Sequence, residues 1–217
     1  MRGICLRAGL AYISGMNLTR RTALLAPLAL AAFALPARAE RISLAALSQY
    51  LNGLTTAETD FTQVNADGSV ATGKLFIRRP GRVRFEYAPP DRSLVLASGG
   101  QVAIFDAKSN QAPEQYPLSR TPLSLILAQN VDLSRAKMVV GHREEENSTR
   151  VVAQDPDHPE YGRIELVFTA NPVTLRQWII TDDIGQPTTV ILGELQTGKS
   201  YPASLFSISG ESTKRGL

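Results

Sequence analysis

The chain has 217 residues, with 23 Lys+Arg against 20 Asp+Glu and a single cysteine, Cys5. Five of the arginines and none of the acids fall in residues 1–39, so residues 40–217 carry 18 basic and 20 acidic side chains. That balance excludes the basic footprint of a nucleic-acid-binding domain, and the absence of cysteine after residue 39 excludes disulfide and thiol chemistry there.

Residues 23–35 are almost wholly alanine and leucine, and Ala37-Arg38-Ala39 stands before Glu40. A basic start, an apolar stretch of about 13 residues and an A-x-A site predict a signal peptide cleaved after Ala39, too short to span a membrane as a helix. Cys5 lies in no lipobox. Met16 offers a second start, because Met16-Asn17-Leu18-Thr19-Arg20-Arg21 is itself a complete charged n-region. Arg20-Arg21 fits a twin-arginine signal and also an ordinary Sec n-region, so the export route stays open. Residues 40–217 are enough for one domain with a genuine core or cavity.

Leu44, Leu47, Tyr50, Leu51 and Leu54 recur at helical spacing behind Ser43, a good N-cap residue, and predict an amphipathic helix over 43–54. Strand-like runs follow at 59–65, 70–79, 82–87, 94–97, 102–106 and 114–118. Turn chemistry divides them at Asp67-Gly68, Pro80-Gly81, Pro89-Pro90-Asp91, Gly99-Gly100 and Ser109-Asn110. Thr121-Pro122 ahead of Leu123, Leu125, Ile126 and Leu127 predicts a short inserted helix capped by Thr121, with Pro122 at its first position. Strands resume at 136–143, 150–154, 163–169, 175–181, 187–195 and 205–209. The fold class is mainly β (α+β). A single strongly curved antiparallel sheet of about ten strands forms an incomplete barrel, since a sheet that wide curls or closes. Two or three short helices cap it.

Catalysis has little to stand on. The chain contains no G-x-S-x-G, H-E-x-x-H, P-loop or G-x-G-x-x-G pattern. Its two histidines, His142 and His158, sit in a charged strand end and a turn-like Asp-Pro-Asp-His-Pro run, and Asp182-Asp183 is a turn before Gly185. Neither an enzyme nor a metal site nor a cofactor is expected. Phe76, Phe85, Tyr87, Phe105, Phe168 and Trp178 fall within strands and are expected in the core or lining a cavity. Arg78, Arg82 and Arg84 read as a solvated strand face. Arg79 differs, because it shares side-chain parity with Leu75 and Ile77 and so ends an apolar row. A half-buried guanidinium must find acceptors there, and the carbonyls of an overlying helix are the nearest candidates.

The segment 73–87 with Arg79-Pro80 at its turn, preceded by Phe61-Thr62-Gln63, resembles the LolA family of periplasmic lipoprotein carriers. Pro90-Asp91, Ser98-Gly99-Gly100, Thr121-Pro122-Leu123 and Asp183-Ile184-Gly185-Gln186-Pro187-Thr188 continue the resemblance in order. It implies an open barrel with a helical lid over a cavity for the acyl chains of triacylated lipoproteins. It also implies a periplasmic monomer that accepts cargo from an inner-membrane lipoprotein-releasing ABC transporter. Delivery would be to an outer-membrane lipoprotein receptor or to the outer membrane itself. By the same resemblance Arg79 is a lid latch that bonds lid backbone and holds the empty cavity shut. The expected acyl-chain cavity residues are Leu75, Ile77, Val83 and Phe85 on the sheet, with Leu123, Ile126 and Leu127 from the lid. Two departures stand out: Ser98-Gly99-Gly100 lacks the Asp usual in the family, and the tail 210–217 is short. The alternative is a periplasmic binder or sensor of lipids or other hydrophobic ligands on the same half-barrel.

Overall fold

The structure, a computed structural model, describes residues 41–217 apart from Asn110. The expected leader, its cleavage after Ala39 and the second start at Met16 lie outside the described residues. Helix α1 (Leu44–Gly53) begins where Ser43 Oγ accepts the Ala46 N–H at 3.2 Å, the usual N-cap bond. Leu47, Ser48 and Leu51 form its buried stripe.

Six strands then run as a meander: β1 (Thr56–Val64), β2 (Val70–Arg78), β3 (Arg82–Tyr87), β4 (Leu94–Ser98), β5 (Gln101–Phe105) and β6 (Glu114–Pro117). A 3₁₀ turn (Leu118–Arg120) and helix α2 (Leu123–Leu127) interrupt them. The sheet resumes with β7 (Val139–Glu145), β8 (Ser148–Gln154), β9 (Arg163–Thr169), β10 (Thr174–Thr181), β11 (Pro187–Leu192) and the short β12 (Gln196–Thr197). Last come a 3₁₀ turn (Ala203–Phe206) and helix α3 (Ile208–Arg215).

The strand order is β6-β5-β4-β3-β2-β1-β11-β10-β9-β8-β7, antiparallel throughout, with β12 also on β1. The twelve strands exceed the expected ten or so, and β6 and β7, at the two ends of the order, each have a single neighbour and do not pair with each other, so the barrel stays open. Strands β5 and β8 are eight steps apart in that order. On a flat sheet with strands ~4.8 Å apart they would be separated by about 38 Å. Val102 of β5 belongs to the same buried cluster as Val151 and Ala153 of β8, and the rings of Phe85 on β3 and Trp178 on β10, strands four steps apart that a flat sheet would hold about 19 Å apart, stand only 6.1 Å from each other. The sheet therefore wraps around a common interior, and α1 and α2 lie on its concave side with Leu47, Leu51, Leu125, Ile126 and Leu127 in the same cluster.

Three local expectations fail. Residues 205–209 are not a strand. Ser207 Oγ accepts the Gly210 N–H at 3.0 Å, Glu211 lies in the first turn, Lys214 and Arg215 in the last, and Gly216 closes the helix at φ 72°. Those are the cap and dipole preferences of a helix. Thr121 is not the cap of α2: its hydroxyl donates to the Leu118 carbonyl at 2.8 Å and closes the preceding 3₁₀ turn, leaving Pro122 at the cap position.

The third failure is on the convex face, which is not simply solvated. Leu94, Leu96, Ala103 and Phe105 form a second buried cluster there, with Ile208 of α3 packed on it. Phe105 therefore lies outside the main interior, beneath the Arg215 guanidinium 5.1 Å from its ring centroid. Phe76 likewise packs edge-on against Tyr201, with centroids 5.7 Å apart. Arg84, expected in water, is 7% exposed. It bonds Glu86 at 2.6 Å, Glu211 at 3.3 Å and the Leu205 carbonyl at 3.1 Å. Arg78 donates to the Tyr201 carbonyl at 3.0 Å. The segment after β12 is thus strapped across the outside of β2 to β5.

Candidate lid and acyl-chain site

The register pairs Leu75 with Phe85 and Ile77 with Val83 across β2 and β3, which places these four side chains together on the concave face. All four are buried. Ile126 and Leu127 of α2 are buried against the same cluster, and Leu123 packs half-buried at its margin. The seven expected cavity residues are therefore brought together, but the hydrophobic cavity is here a filled interior: the apolar sides of α1 and α2 sit down into the sheet.

The Phe61-Thr62-Gln63 motif has a physical reason. Phe61 packs edge-on to Phe85 at 5.4 Å and to Tyr87 at 5.2 Å, and Phe85 stands likewise to Trp178 at 6.1 Å. Gly73 makes room for this: a Cβ there would stand 2.1 Å from the Glu86 carbonyl oxygen and 2.8 Å from the Phe61 ring. Gln63 accepts the Tyr87 hydroxyl at 2.7 Å. Burial, with the Asp91 carboxylate nearby, pushes Tyr87 up to about 12, so the phenol stays a donor.

Arg79 lies just beyond β2, at the rim of this interior. Its Nη1 donates to the Leu51 carbonyl in the last turn of α1. Its Nε donates to the Ala128 carbonyl, just after α2, at 3.2 Å, and Nη2 reaches the same oxygen. Nη2 also approaches Asn52 Oδ1 at 3.4 Å. Last-turn carbonyls lack helical partners and sit at the negative end of the helix dipole, so they suit a cation. Half-burial lowers the pKa of the guanidinium, which remains charged at any ordinary pH. One arginine thus bridges both pieces of the lid. Backbone bonds flank it: Arg79 N–H to the Thr55 carbonyl at 2.8 Å, and Gly81 N–H to the Leu127 carbonyl at 2.9 Å.

Sequence reasoning missed the polar residues of α1. The Asn52 amide pairs with both backbone groups of Val131, donating to its carbonyl at 2.8 Å and accepting its N–H at 2.9 Å. Ser48 Oγ accepts the Leu133 N–H at 2.9 Å. Ser48 and Asn52 are four residues apart, hence on one helix face, and two polar side chains stacked beside a leucine stripe were the available signal. Tyr50 Oη accepts the Leu175 N–H at 3.1 Å, next to the bulge in β10. The histidines have separate roles: His142 Nε2 lies 2.9 Å from the Ile42 carbonyl, and His158 stacks on Tyr161.

An open antiparallel barrel with a two-piece helical lid over an apolar interior is the architecture that the resemblance implied. The chain belongs to the LolA family: the profile described as Outer membrane lipoprotein carrier protein LolA matches residues 52–209. It is similar to the outer-membrane lipoprotein carrier protein of Methylococcus capsulatus, at 26% identity over 79% of this chain and 86% of that one. The corresponding protein of Chromobacterium violaceum is 25% identical over 82% of this chain and 88% of its own length. The crystal structure of a LolA superfamily protein from Nitrosomonas europaea overlays with a TM-score of 0.43 at 7% identity, covering 76% of this chain and 98% of that one.

Proposed function

We propose that this protein is a periplasmic carrier that takes the acyl chains of lipoproteins released from the inner membrane and delivers them to the outer membrane. The observation that carries the reading is Arg79, a cation at the rim of an apolar interior that bonds carbonyls of both lid pieces. The named relatives agree with it. Each buried CH₂ gains about 0.8 kcal/mol, so one chain of about 16 carbons is worth on the order of 12 kcal/mol. Free lipoprotein would not cross water at a useful rate. A carrier must shield the chains and still let them go.

Arg79 supplies the second requirement. Bonds made only in the closed, empty state favour that state and lower the apparent affinity for cargo. Leu123, Ile126 and Leu127 lift away from Leu75, Ile77, Val83 and Phe85 as chains enter, and the seven line the space the chains occupy. Cargo comes from an ATP-driven lipoprotein-releasing transporter and passes to an outer-membrane receptor or to the membrane itself, after export and cleavage at Ala39. No catalytic step is involved.

Mass spectrometry of molecules that co-purify from the periplasm, wild type beside Arg79→Leu, tests this reading. Triacylated lipoproteins enriched on the variant are expected. Free lipids alone, equal on both proteins, would make the chain a general lipid binder and Arg79 a structural arginine.

A further inference from the structure

Each piece of the lid is tied to the sheet by backbone, but the two pieces are joined to each other by side chains. Gly81 N–H bonds Leu127 at 2.9 Å, Leu118 N–H bonds Gly100 at 2.8 Å, and Gln154 N–H bonds Met138 at 2.7 Å; Thr55, which follows α1, bonds Arg79 N–H. Between α1 and residues 118–138, among the described residues, no backbone–backbone hydrogen bond is formed. The seam is crossed by the Asn52 amide on Val131, by Ser48 Oγ on Leu133, and by Arg79 reaching both Leu51 and Ala128. Its floor is apolar and continuous with the interior, since Leu47, Leu51, Val131 and Leu133 are all buried in the main cluster.

Resting on the carrier reading above, we infer that acyl chains enter and leave through this seam, between α1 and residues 128–133, and that Asn52 is the stitch that closes it. Parting α1 from those residues breaks no ladder between them. It frees polar groups at the rim, where water can satisfy them. Those groups also suit the cargo's head. The diacylglyceryl esters and the N-acyl amide of a triacylated cysteine offer carbonyl acceptors, and the opened seam presents the Arg79 guanidinium, the Asn52 amide and the Val131 and Leu133 N–H donors. The chains then lie inward and the polar head lies at the seam.

Cys5 is the only cysteine of the chain, so an engineered pair can be read cleanly in a Cys5→Ser background. The pair Asn52→Cys with Val131→Cys locks the seam when oxidised. The pair Ile42→Cys with Thr149→Cys locks the start of α1 to β8, where Ile42 N–H already bonds Thr149 Oγ1 at 2.9 Å. The probe is a synthetic triacylated cysteine lipopeptide offered to the periplasmic protein. The oxidised seam pair is expected to load at least about tenfold less than the same protein reduced, while the control pair stays within about twofold. Equal loading of the oxidised and reduced seam pair, or a block by the control pair instead, overturns the inference.

Asn52→Leu, which needs no cross-link, is the second arm. It is expected to slow lipopeptide release by about tenfold, as Arg79→Leu does, and the double variant to fall short of the product because both act on one seam. A lower unfolding midpoint with unchanged release would make Asn52 purely structural and also overturn it. A wild-type protein that takes up no lipopeptide at all would remove the carrier reading itself, and this inference with it.

Discussion

Two arginines five residues apart, Arg79 and Arg84, hold the same hairpin from opposite faces and are answered in opposite ways. On the convex side Arg84 is buried and meets carboxylates, Glu211 at 3.3 Å and Glu86 at 2.6 Å. On the concave rim Arg79 is half-buried and meets carbonyls and an amide, with no carboxylate among its described partners. Breaking a buried ion pair strands an uncompensated charge, at about 3–5 kcal/mol. A rim guanidinium that gives up carbonyls for water loses much less, because hydrogen bonds to charged groups are worth only about 1.5–3 kcal/mol net. The first arrangement is fixed in place. The second costs less to break, as the proposed latch requires.

The largest expected effect therefore belongs to Arg84. Arg84→Ala should lower the free energy of unfolding by about 3 kcal/mol in a denaturant titration, the lower end of that range, because the contacts to Glu86, Glu211 and the Leu205 carbonyl go together while Glu211 keeps its bond to Arg215. Lipopeptide release from the protein that remains folded should stay near the wild-type rate. A near-neutral Arg84→Ala would mean that the strap is loosely held, and the contrast between the two faces would collapse.

Arg79→Leu should show the reverse. The lid equilibrium should shift toward the open state by about 1.5–3 kcal/mol, slowing release at least about tenfold, while the empty protein loses at most that much stability, because the open form, which lacks these bonds anyway, sets a floor. Arg79→Lys should fall between, since a single ammonium cannot match the planar fork that spans two carbonyls. Stopped-flow release of a fluorescent triacylated lipopeptide measures both variants.

The concave side was largely legible in the sequence and the convex side was not, for a physical reason. Alternation placed Leu75, Ile77, Val83 and Phe85 on one face, and parity placed Arg79 at the end of that row. These are local facts about neighbours in the chain. Parity also pointed Arg84 outward, correctly, but outward usually means water. What covers it is Glu211, 127 positions further on, and nothing near residue 84 announces a partner so remote. The strap was hidden for a related reason. Phe206, Ser207, Ile208 and Ser209 alternate like a short strand, and burial of Phe206 together with the Ser207 cap decides for a turn and a helix. Asn52 was missed differently: its stacking with Ser48 beside the leucine stripe is a local hint that polar groups lie opposite, and only the loop at 131–133 shows which.

Acid should separate the two faces by a smaller margin. Burial alone would raise the Glu211 carboxyl, but the Arg215 hydrogen bond and the charges of Arg84 and Lys214 prevail and hold it below the usual carboxylate value. A group whose pKa is depressed on folding adds stability that is fully present above its unfolded value, here near 4.5, and is lost as pH falls through the folded value. Arg79 keeps its charge across the whole of that range. Glu211→Gln should thus be less stable than wild type by about 1.5 kcal/mol at neutral pH. The gap should shrink as pH drops below about 4.5, where the native carboxyl protonates too. Other depressed carboxylates, Glu58 and Glu165 among them, weaken both proteins alike on acidification and cancel in the comparison. Lipopeptide release by the still-folded protein should not follow this profile, because the contact that governs it contains no carboxylate. A release rate that tracked the protonation of Glu211 would show that the strap and the lid are coupled through the sheet, and that the two arginines do not act independently.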